Sequence, residues 1–242
     1  MTVTGAWLRA RLVDRFPETA SARTLVFAVP SWPGHLAGQH VDVRLTADDG
    51  YQAVRSYSLS APADGESAVQ ISVQPVPDGE VSPYLAEALP VGADVQVRGP
   101  LGGWFVWRPQ WRDPVMLVAG GSGVAPLMAM LRAREEASGP APFRLVYSLR
   151  DPAQRWFAPD LDRMEADQTG ARVAYVYTRR PPEGFPRPAG RLGASDLDAA
   201  GWRPGDRPWC YVCGPTAFVE HAANLLVGLG HDQARIRTER FG

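Results

Sequence analysis

The chain is 242 residues long, 45% hydrophobic and 21% charged, with a formal net charge of −1. A balance this close to neutral excludes nucleic acid and an anionic membrane surface as dominant partners, and no run approaches the roughly 18 consecutive apolar residues of a membrane span. Two cysteines exclude both a disulfide scaffold and an iron–sulfur cluster held by four thiolates. Residues 1–12 lack the apolar core of a secretory signal, so a cytoplasmic protein is expected, and a monomer.

From residue 7 to about residue 97 the pattern is strands and turns. Residues 7–13, 24–29, 40–45, 53–59, 69–73 and 95–97 are short runs rich in β-branched or aromatic side chains. Turn signals separate them: Ser31-Trp-Pro-Gly34, Asp48-Asp-Gly50, Pro62-Ala-Asp-Gly65 and Pro77-Asp-Gly79. Short strands at this spacing predict a small antiparallel β-barrel. Ser82-Pro83, followed by residues 84–89, predicts a short helix with Ser82 as N-cap and Pro83 at the first helical position. Gly99-Pro-Leu-Gly-Gly103 reads as a turn. Arg108-Pro-Gln-Trp-Arg-Asp-Pro114 reads as a linker, which places a barrel domain over residues 1–108 and a second domain over residues 113–242.

After Pro114 the period changes. Residues 115–119 form a fully apolar strand, as a parallel sheet covered on both faces requires. Strands at 144–147, 173–177, 209–212 and 234–238 alternate with helices at 127–136, 160–166, 195–199 and 217–229. Ser195 is the candidate N-cap of the third helix. Alternation of this kind predicts a doubly wound α/β domain.

Arg55-Ser-Tyr-Ser-Leu-Ser-Ala-Pro62 puts a cation, an aromatic ring and several hydroxyls on one strand. Side chains on a strand alternate, so Arg55 and Tyr57 share one face and Ser56 and Ser58 the other. Arg suits a phosphate and Tyr a ring, which points to a ligand carrying both. A strand with a polar outer face would use the same residues. In the second half, Gly120-Gly-Ser-Gly-Val-Ala-Pro126 lies between the first strand and its helix, where Gly121, Gly123 and Val124 can bring backbone against phosphates. Pro126 stands where the usual fingerprint has a third glycine, and a tight strand-to-helix turn would look the same.

The ends of the next two strands bear on nucleotide choice. An NAD site usually carries an acidic residue after the second strand. Here Ser148-Leu-Arg150 and Thr178-Arg-Arg180 supply hydroxyls and cations, including Arg179, that favour the 2′-phosphate of NADPH over NADH. The alternative is that Arg150 is a solvated loop residue near Asp151. Cys210 and Cys213 form a C-x-x-C, readable as a redox pair or half a zinc site. No second pair exists, and the four His (35, 40, 221 and 231) lack ligand spacing with them. Cys213-Gly214-Pro215 turns out of a strand end into the crevice where open α/β sheets bind ligands, while Cys210 reads as core.

Arg55-x-Tyr-Ser58, the loop ending Val124-Ala-Pro126, Cys213-Gly-Pro215 and Glu239-Arg-Phe241 occur in an order that resembles the ferredoxin–NADP⁺ reductase superfamily over nearly the whole chain. Gly38-Gln39-His40 and Gly79-Glu-Val81-Ser82 resemble its flavin domain. Among its branches, the chain looks most like reductase components of bacterial oxygenase systems and stand-alone ferredoxin reductases. The resemblance implies FAD, with FMN less favoured, on the barrel and a nicotinamide nucleotide on the α/β domain. It implies that Tyr57 packs on the isoalloxazine, Arg55 binds the pyrophosphate, Ser58 lies near flavin N5 and Ser82 binds phosphate. It further implies that Cys213 borders the nicotinamide, that Ser58, Cys213 and Glu239 surround the reacting atoms, and that Phe241 covers the other flavin face. Phe241 departs from the Tyr usual there, and no fused iron–sulfur domain is present in this sequence.

The activity so implied is an NADPH reductase. Hydride passes to flavin, and electrons then pass to a ferredoxin, a flavodoxin or a monooxygenase or dioxygenase component. A reductase of free flavin and a non-catalytic flavin-binding electron-transfer subunit are the rival readings.

Overall fold

The computed structural model describes residues 5–65, 67–137, 141–166 and 171–241. They form two compact units, Met1–Trp107 and Arg108–Gly242.

The first unit is a single antiparallel sheet of β1 (Leu8–Pro17), β2 (Arg23–Ala28), β3 (His40–Thr46), β4 (Gln52–Ser58), β5 (Ala68–Val73) and β6 (Asp94–Leu101), in the order β4-β3-β6-β1-β2-β5. Its two edges meet. Leu59, just past β4, bridges Ile71 of β5, and Ser60 N–H donates to the Gln70 carbonyl at 3.0 Å. That contact closes the sheet into a barrel, which removes most of the unpaired edge. Alternate residues fill the interior: Leu12, Leu25, Phe27, Val41, Val43, Ile71 and Val97 are all buried. Each such side chain contributes about 1.5–3 kcal/mol of burial.

Two local expectations differ in the barrel. Residues 99–101 continue β6 rather than turning, because Gly99 lets the strand pass close to β3; a Cβ there would lie 2.9 Å from Val41 Cγ1. The short helix is a π turn, Tyr84–Ala88, and Ser82 does not cap it. Ser82 already lies in the helical turn, where the Val81 carbonyl accepts Leu85 N–H at 3.0 Å. Its hydroxyl instead accepts the Val76 N–H at 3.0 Å, satisfying a donor of the preceding loop.

The second unit is a parallel sheet of β7 (Val115–Gly120), β8 (Phe143–Leu149), β9 (Arg172–Tyr177), β10 (Trp209–Pro215) and β11 (Ile236–Phe241), ordered β11-β10-β7-β8-β9. Helices α1 (Val124–Glu135), α2 (Ala158–Ala166), α3 (Ala194–Ala200) and α4 (Thr216–Gly228) connect and cover it. Every residue of β7 is buried, as befits the central strand. The chain runs outward from β7 through β8 to β9, then crosses back to β10 and β11. The strand order therefore reverses between β7 and β10, the position where open α/β sheets form a ligand crevice.

Gly193, not Ser195, precedes α3 in extended conformation, and its N–H donates to the Asp196 carboxylate at 2.8 Å. Ser195 falls inside the first turn. Residues 233–235 form a 3₁₀ turn held by Asp232, so the last strand starts at Ile236 rather than at Ala234. The stretch 108–114 is anchored on its own unit. Trp111 stacks on Trp209 with centroids 6.1 Å apart, and the Arg237 guanidinium lies 5.3 Å and 4.5 Å from those two rings.

Candidate functional site

On the barrel, β4 pairs with β3 so that Arg55 faces Val43 and Tyr57 faces Val41. Arg55 and Tyr57 thus share the core-facing side of the sheet on the strand that leads into the barrel closure at Leu59 and Ser60. Tyr57 is half-buried against the core, and burial, opposed by Arg55, pushes its phenol up to about 12. Arg55 is exposed and makes no ion pair among the described residues; its guanidinium donates to the Val54 carbonyl at 2.7 Å. A neutral ring and an uncommitted cation therefore sit two residues apart on one face.

The opposite face of β4 is already engaged. Ser56 donates to Asp42 at 2.6 Å, and Arg98 donates to the other oxygen of that carboxylate at 2.6 Å. Burial alone would raise the Asp42 pKa; the bonds from Ser56 and Arg98 outweigh it and hold the carboxyl below its ordinary range. Ser58 lies on this face as well, directly across from His40. Burial lowers the His40 pKa, with Asp42 acting against it. His40 is the residue sequence reasoning left without a role: its place in the Gly38-Gln39-His40 motif was visible, but its pairing with Ser58 depends on strand register.

The loop before the π turn is tightly built. Gly79 N–H donates to the Val76 carbonyl at 2.9 Å, and a Cβ on Gly79 would stand 2.9 Å from that oxygen and 3.4 Å from Ser82 Oγ. Val81 and Ser82 are buried. Its oxygen accepts from Val76, and among the described residues the Ser82 hydroxyl donates to no acceptor. A cavity of about 680 Å³ opens elsewhere on the barrel, lined by Leu45, Tyr51, Ala53, Glu80 and Tyr84 among others. None of the sequence-predicted residues lines it, so volume alone does not mark this site.

In the α/β unit, the glycine loop and the end of β10 are packed against each other at the point of strand reversal. A Cβ on Gly123 would overlap the Cys213 carbonyl, and one on Gly120 would stand 2.5 Å from the Phe218 ring. Gly214 is packed the same way, with a Cβ 2.8 Å from Phe218 and 3.1 Å from the Gly120 carbonyl oxygen. Gly121 alone faces open space, at φ +55°. A 3₁₀ turn, Gly121–Gly123, leads into α1, where Val124 and Pro126 are buried in the first turn. Pro126 costs nothing there, because the first turn's N–H groups have no partner within the helix. The open backbone at Gly121 and the helix start suit a phosphate.

Cys213 is fully buried in β10, between Ala119 of β7 and Glu239 of β11. Burial, then the nearby Glu239, drives its pKa well above the ordinary thiol range, so it stays a neutral thiol. Phe241 pairs with Pro215 two residues further along. Burial also pushes Cys210 up to about 12, and it belongs to the core beneath α4. Three positions apart on a strand, the two cysteines face opposite sides, which separates them as a redox pair.

At the ends of β8 and β9 the backbone zips two loops together. Thr178 N–H donates to the Leu149 carbonyl at 2.8 Å, and Arg179 and Arg180 N–H both donate to the Arg150 carbonyl, at 3.0 and 3.1 Å. Ser148 is buried and Thr178 half-buried, while Arg150 and Arg179 are exposed. Asp151 pairs with Arg180 at 3.2 Å, not with Arg150. Among the described residues, neither Arg150 nor Arg179 makes a side-chain ion pair.

Comparison with known proteins matches both halves. Residues 9–106 fit the oxidoreductase FAD-binding domain and residues 117–224 the oxidoreductase NAD-binding domain. The glycine betaine monooxygenase reductase subunit of Chromohalobacter salexigens is 30% identical over 236 residues, covering 96% of this chain and 63% of that protein. The ferredoxin–NAD(P)⁺ reductase component of the naphthalene 1,2-dioxygenase/salicylate 5-hydroxylase systems of Ralstonia sp. is 33% identical over 210 residues, covering 84% and 60%. The chain thus spans less than two thirds of either relative's length. Among solved structures, the FAD/NAD-binding domain of Vibrio cholerae nitric oxide dioxygenase superposes with a TM-score of 0.83 at 25% identity, covering 97% of this chain and 98% of that one. The cytochrome b5 reductase domain of Ulva prolifera nitrate reductase gives a TM-score of 0.86 at 20% identity, covering 98% of each. No helix among the described residues is long and apolar enough to cross a membrane. With an FAD-binding barrel followed by an NAD-binding α/β unit over most of its length, the chain belongs to the ferredoxin–NADP⁺ reductase superfamily.

Proposed function

We propose that this protein is an FAD-dependent NADPH reductase that delivers electrons to a ferredoxin, a flavodoxin or an oxygenase component. The observation that carries the reading is the shared face of Arg55 and Tyr57 on β4, a neutral half-buried ring beside a cation with no ion pair among the described residues. Those residues fit a flavin nucleotide: Tyr57 offers a flat surface to its ring and Arg55 a planar fork to its pyrophosphate. Ser82, through its hydroxyl, and the close-packed backbone at Gly79 and Val81 give further phosphate contacts. When bound, the flavin supplies the ring that accepts hydride from nicotinamide and releases electrons singly.

The α/β unit positions the second nucleotide. Gly121, Gly123 and Val124 present backbone to its phosphates, with Pro126 holding the first turn of α1. Ser148, Arg150, Thr178 and Arg179 form the hydroxyl and cation set for a 2′-phosphate, which supports NADPH over NADH. Cys213, Gly214 and Pro215 edge the crevice, and the neutral Cys213 thiol beside Glu239 gives a compact, unreactive wall for the nicotinamide. Ser58, backed by His40, supplies a hydroxyl at the flavin's reacting edge, and no general acid is needed for the hydride step. Ser56 contributes backbone only, since its side chain is held by Asp42.

The test is direct. The purified protein should be yellow, release FAD on denaturation, and lose its flavin absorbance when mixed anaerobically with NADPH. A colourless protein that takes up no flavin overturns the reading. Fast NADPH oxidation with free flavin and none with a ferredoxin would assign the protein to the flavin reductases.

A further inference from the structure

Asp151 immediately follows the strand end that carries Ser148 and Arg150, and its carboxylate is held inside the protein. The side chain is only 13% exposed. One oxygen accepts the Ala153 N–H at 3.1 Å, and the other accepts Arg180 at 3.2 Å. The first bond fixes Asp151 as the cap of the 3₁₀ turn at Pro152–Gln154, so the carboxylate cannot swing away. The partner is different in kind: the Arg180 side chain is 82% exposed. A bridge with one end in solvent adds little to stability. Its consequence lies in charge. The backbone zipper ties Arg179 and Arg180 to the Arg150 carbonyl, and the ion pair with Arg180 joins the Asp151 carboxylate to that same pair of loops.

We propose that Arg180 is a positioning residue for nucleotide preference: by neutralising Asp151 it lets a phosphate dianion approach Arg150 and Arg179, without touching the nucleotide itself. This rests on the NADPH reading of the same site. A buried anion is poorly screened, so an unpaired Asp151 repels the 2′-phosphate. An unpaired acidic side chain at this strand end also accepts hydrogen bonds from a free ribose diol, the arrangement that favours NADH. Loss of Arg180 should therefore penalise the 2′-phosphate selectively and leave the unphosphorylated nucleotide bound at least as tightly.

The experiment measures binding of 2′,5′-ADP and 5′-ADP to the flavin-loaded full chain by calorimetry. Wild type should prefer 2′,5′-ADP. Arg180→Ala should cut that preference about tenfold, equivalent to about 1.4 kcal/mol. Arg180→Lys should keep most of it, and Arg180→Ala combined with Asp151→Asn should recover it. A wild-type protein with no preference for 2′,5′-ADP removes the NADPH reading, and this inference with it. A wild type that discriminates, together with an Arg180→Ala variant that discriminates equally well, overturns the role of Arg180 alone. So does a loss of preference that Asp151→Asn fails to recover.

Discussion

A Cβ on Gly123 would stand 2.2 Å from the Cys213 carbonyl oxygen and 2.4 Å from its carbonyl carbon. Both are backbone atoms of a strand paired on each side, so the obstacle cannot rotate away. The absence of a side chain at Gly123 is what lets the glycine loop reach the Cys213-Gly214-Pro215 turn.

Gly123→Ala should therefore destabilise the α/β unit by about 3 kcal/mol, the upper part of the range for overpacking. Gly121→Ala meets no atom within 4 Å and has only its φ of +55° to contend with. It should cost about 1 kcal/mol, the penalty for a left-handed non-glycine residue. Denaturant unfolding of the two variants checks the order. Equal stability of Gly123→Ala and wild type would mean the loop and β10 are not packed as described.

On the barrel, Tyr57→Phe and Tyr57→Ala separate ring from hydroxyl. Burial keeps the phenol neutral, with a pKa of about 12, and the ring packs on the core. Tyr57→Phe should retain flavin near the wild-type level. Tyr57→Ala should lose most of it and about 3 kcal/mol of stability, as for other buried aromatics truncated to Ala. The flavin-to-protein absorbance ratio after gel filtration measures retention, and full occupancy in Tyr57→Ala would refute the stacking role.

Much of this architecture was legible because its signals are local. Alternating apolar residues mark β3 and β5, and the unbroken apolar run at 115–119 marks the central parallel strand. What could not be read is set by competing hydrogen bonds and by strand register. Ser82 looked like a cap until Val76, six residues back, claimed its hydroxyl. Ser195 lost the cap to Gly193 because Asp196, held by Arg187 at 2.5 Å, takes the Gly193 N–H. Residues 99–101 looked like a turn because Gly and Pro punctuate chains, yet here glycine serves close strand packing. At the candidate site, period alone separates Arg55 and Tyr57 from Ser56 and Ser58. The placement of His40 across from Ser58, and of Asp42 against Ser56, needed the β3–β4 register.

Acid should weaken the barrel through His35. Trp32 Nε1–H donates to His35 Nδ1 at 3.0 Å, and His35 Nε2 lies 2.9 Å from the Ala61 carbonyl, so the ring is held as the neutral tautomer with its proton on Nε2. Burial lowers its pKa below the ordinary 6.5, with the Ala61 bond and Asp64 opposing. Below pH 6.5 the unfolded chain binds this proton more readily than the folded one, so stability rises with pH across that window and is fully present above it. Protonation of Nδ1 would also set it against the Trp32 N–H. Thermal unfolding should shift to lower temperature as pH falls from 7 to 5, and His35→Gln should flatten that slope. An unchanged slope in the variant would assign the acid sensitivity to other groups, His40 and His231 first, since burial lowers both.

Arg150 should contribute charge directly to the nucleotide, in contrast to Arg180. Its backbone is fixed by two hydrogen bonds to its carbonyl, its side chain is exposed, and Asp151 is occupied by Arg180. The guanidinium is therefore free to pair with a phosphate at little cost to the fold. Arg150→Ala should leave stability within about 0.5 kcal/mol of wild type, as for surface substitutions generally. The KM for NADPH should rise about tenfold or more, in line with about 1.5–3 kcal/mol for a hydrogen bond to a charged group. The KM for NADH should stay within about twofold, because the unphosphorylated ribose offers that cation no anion to bind. Steady-state kinetics with both nucleotides and a one-electron acceptor decide it. Equal effects on the two would remove Arg150 from 2′-phosphate recognition and leave Arg179 as the cation that reads it.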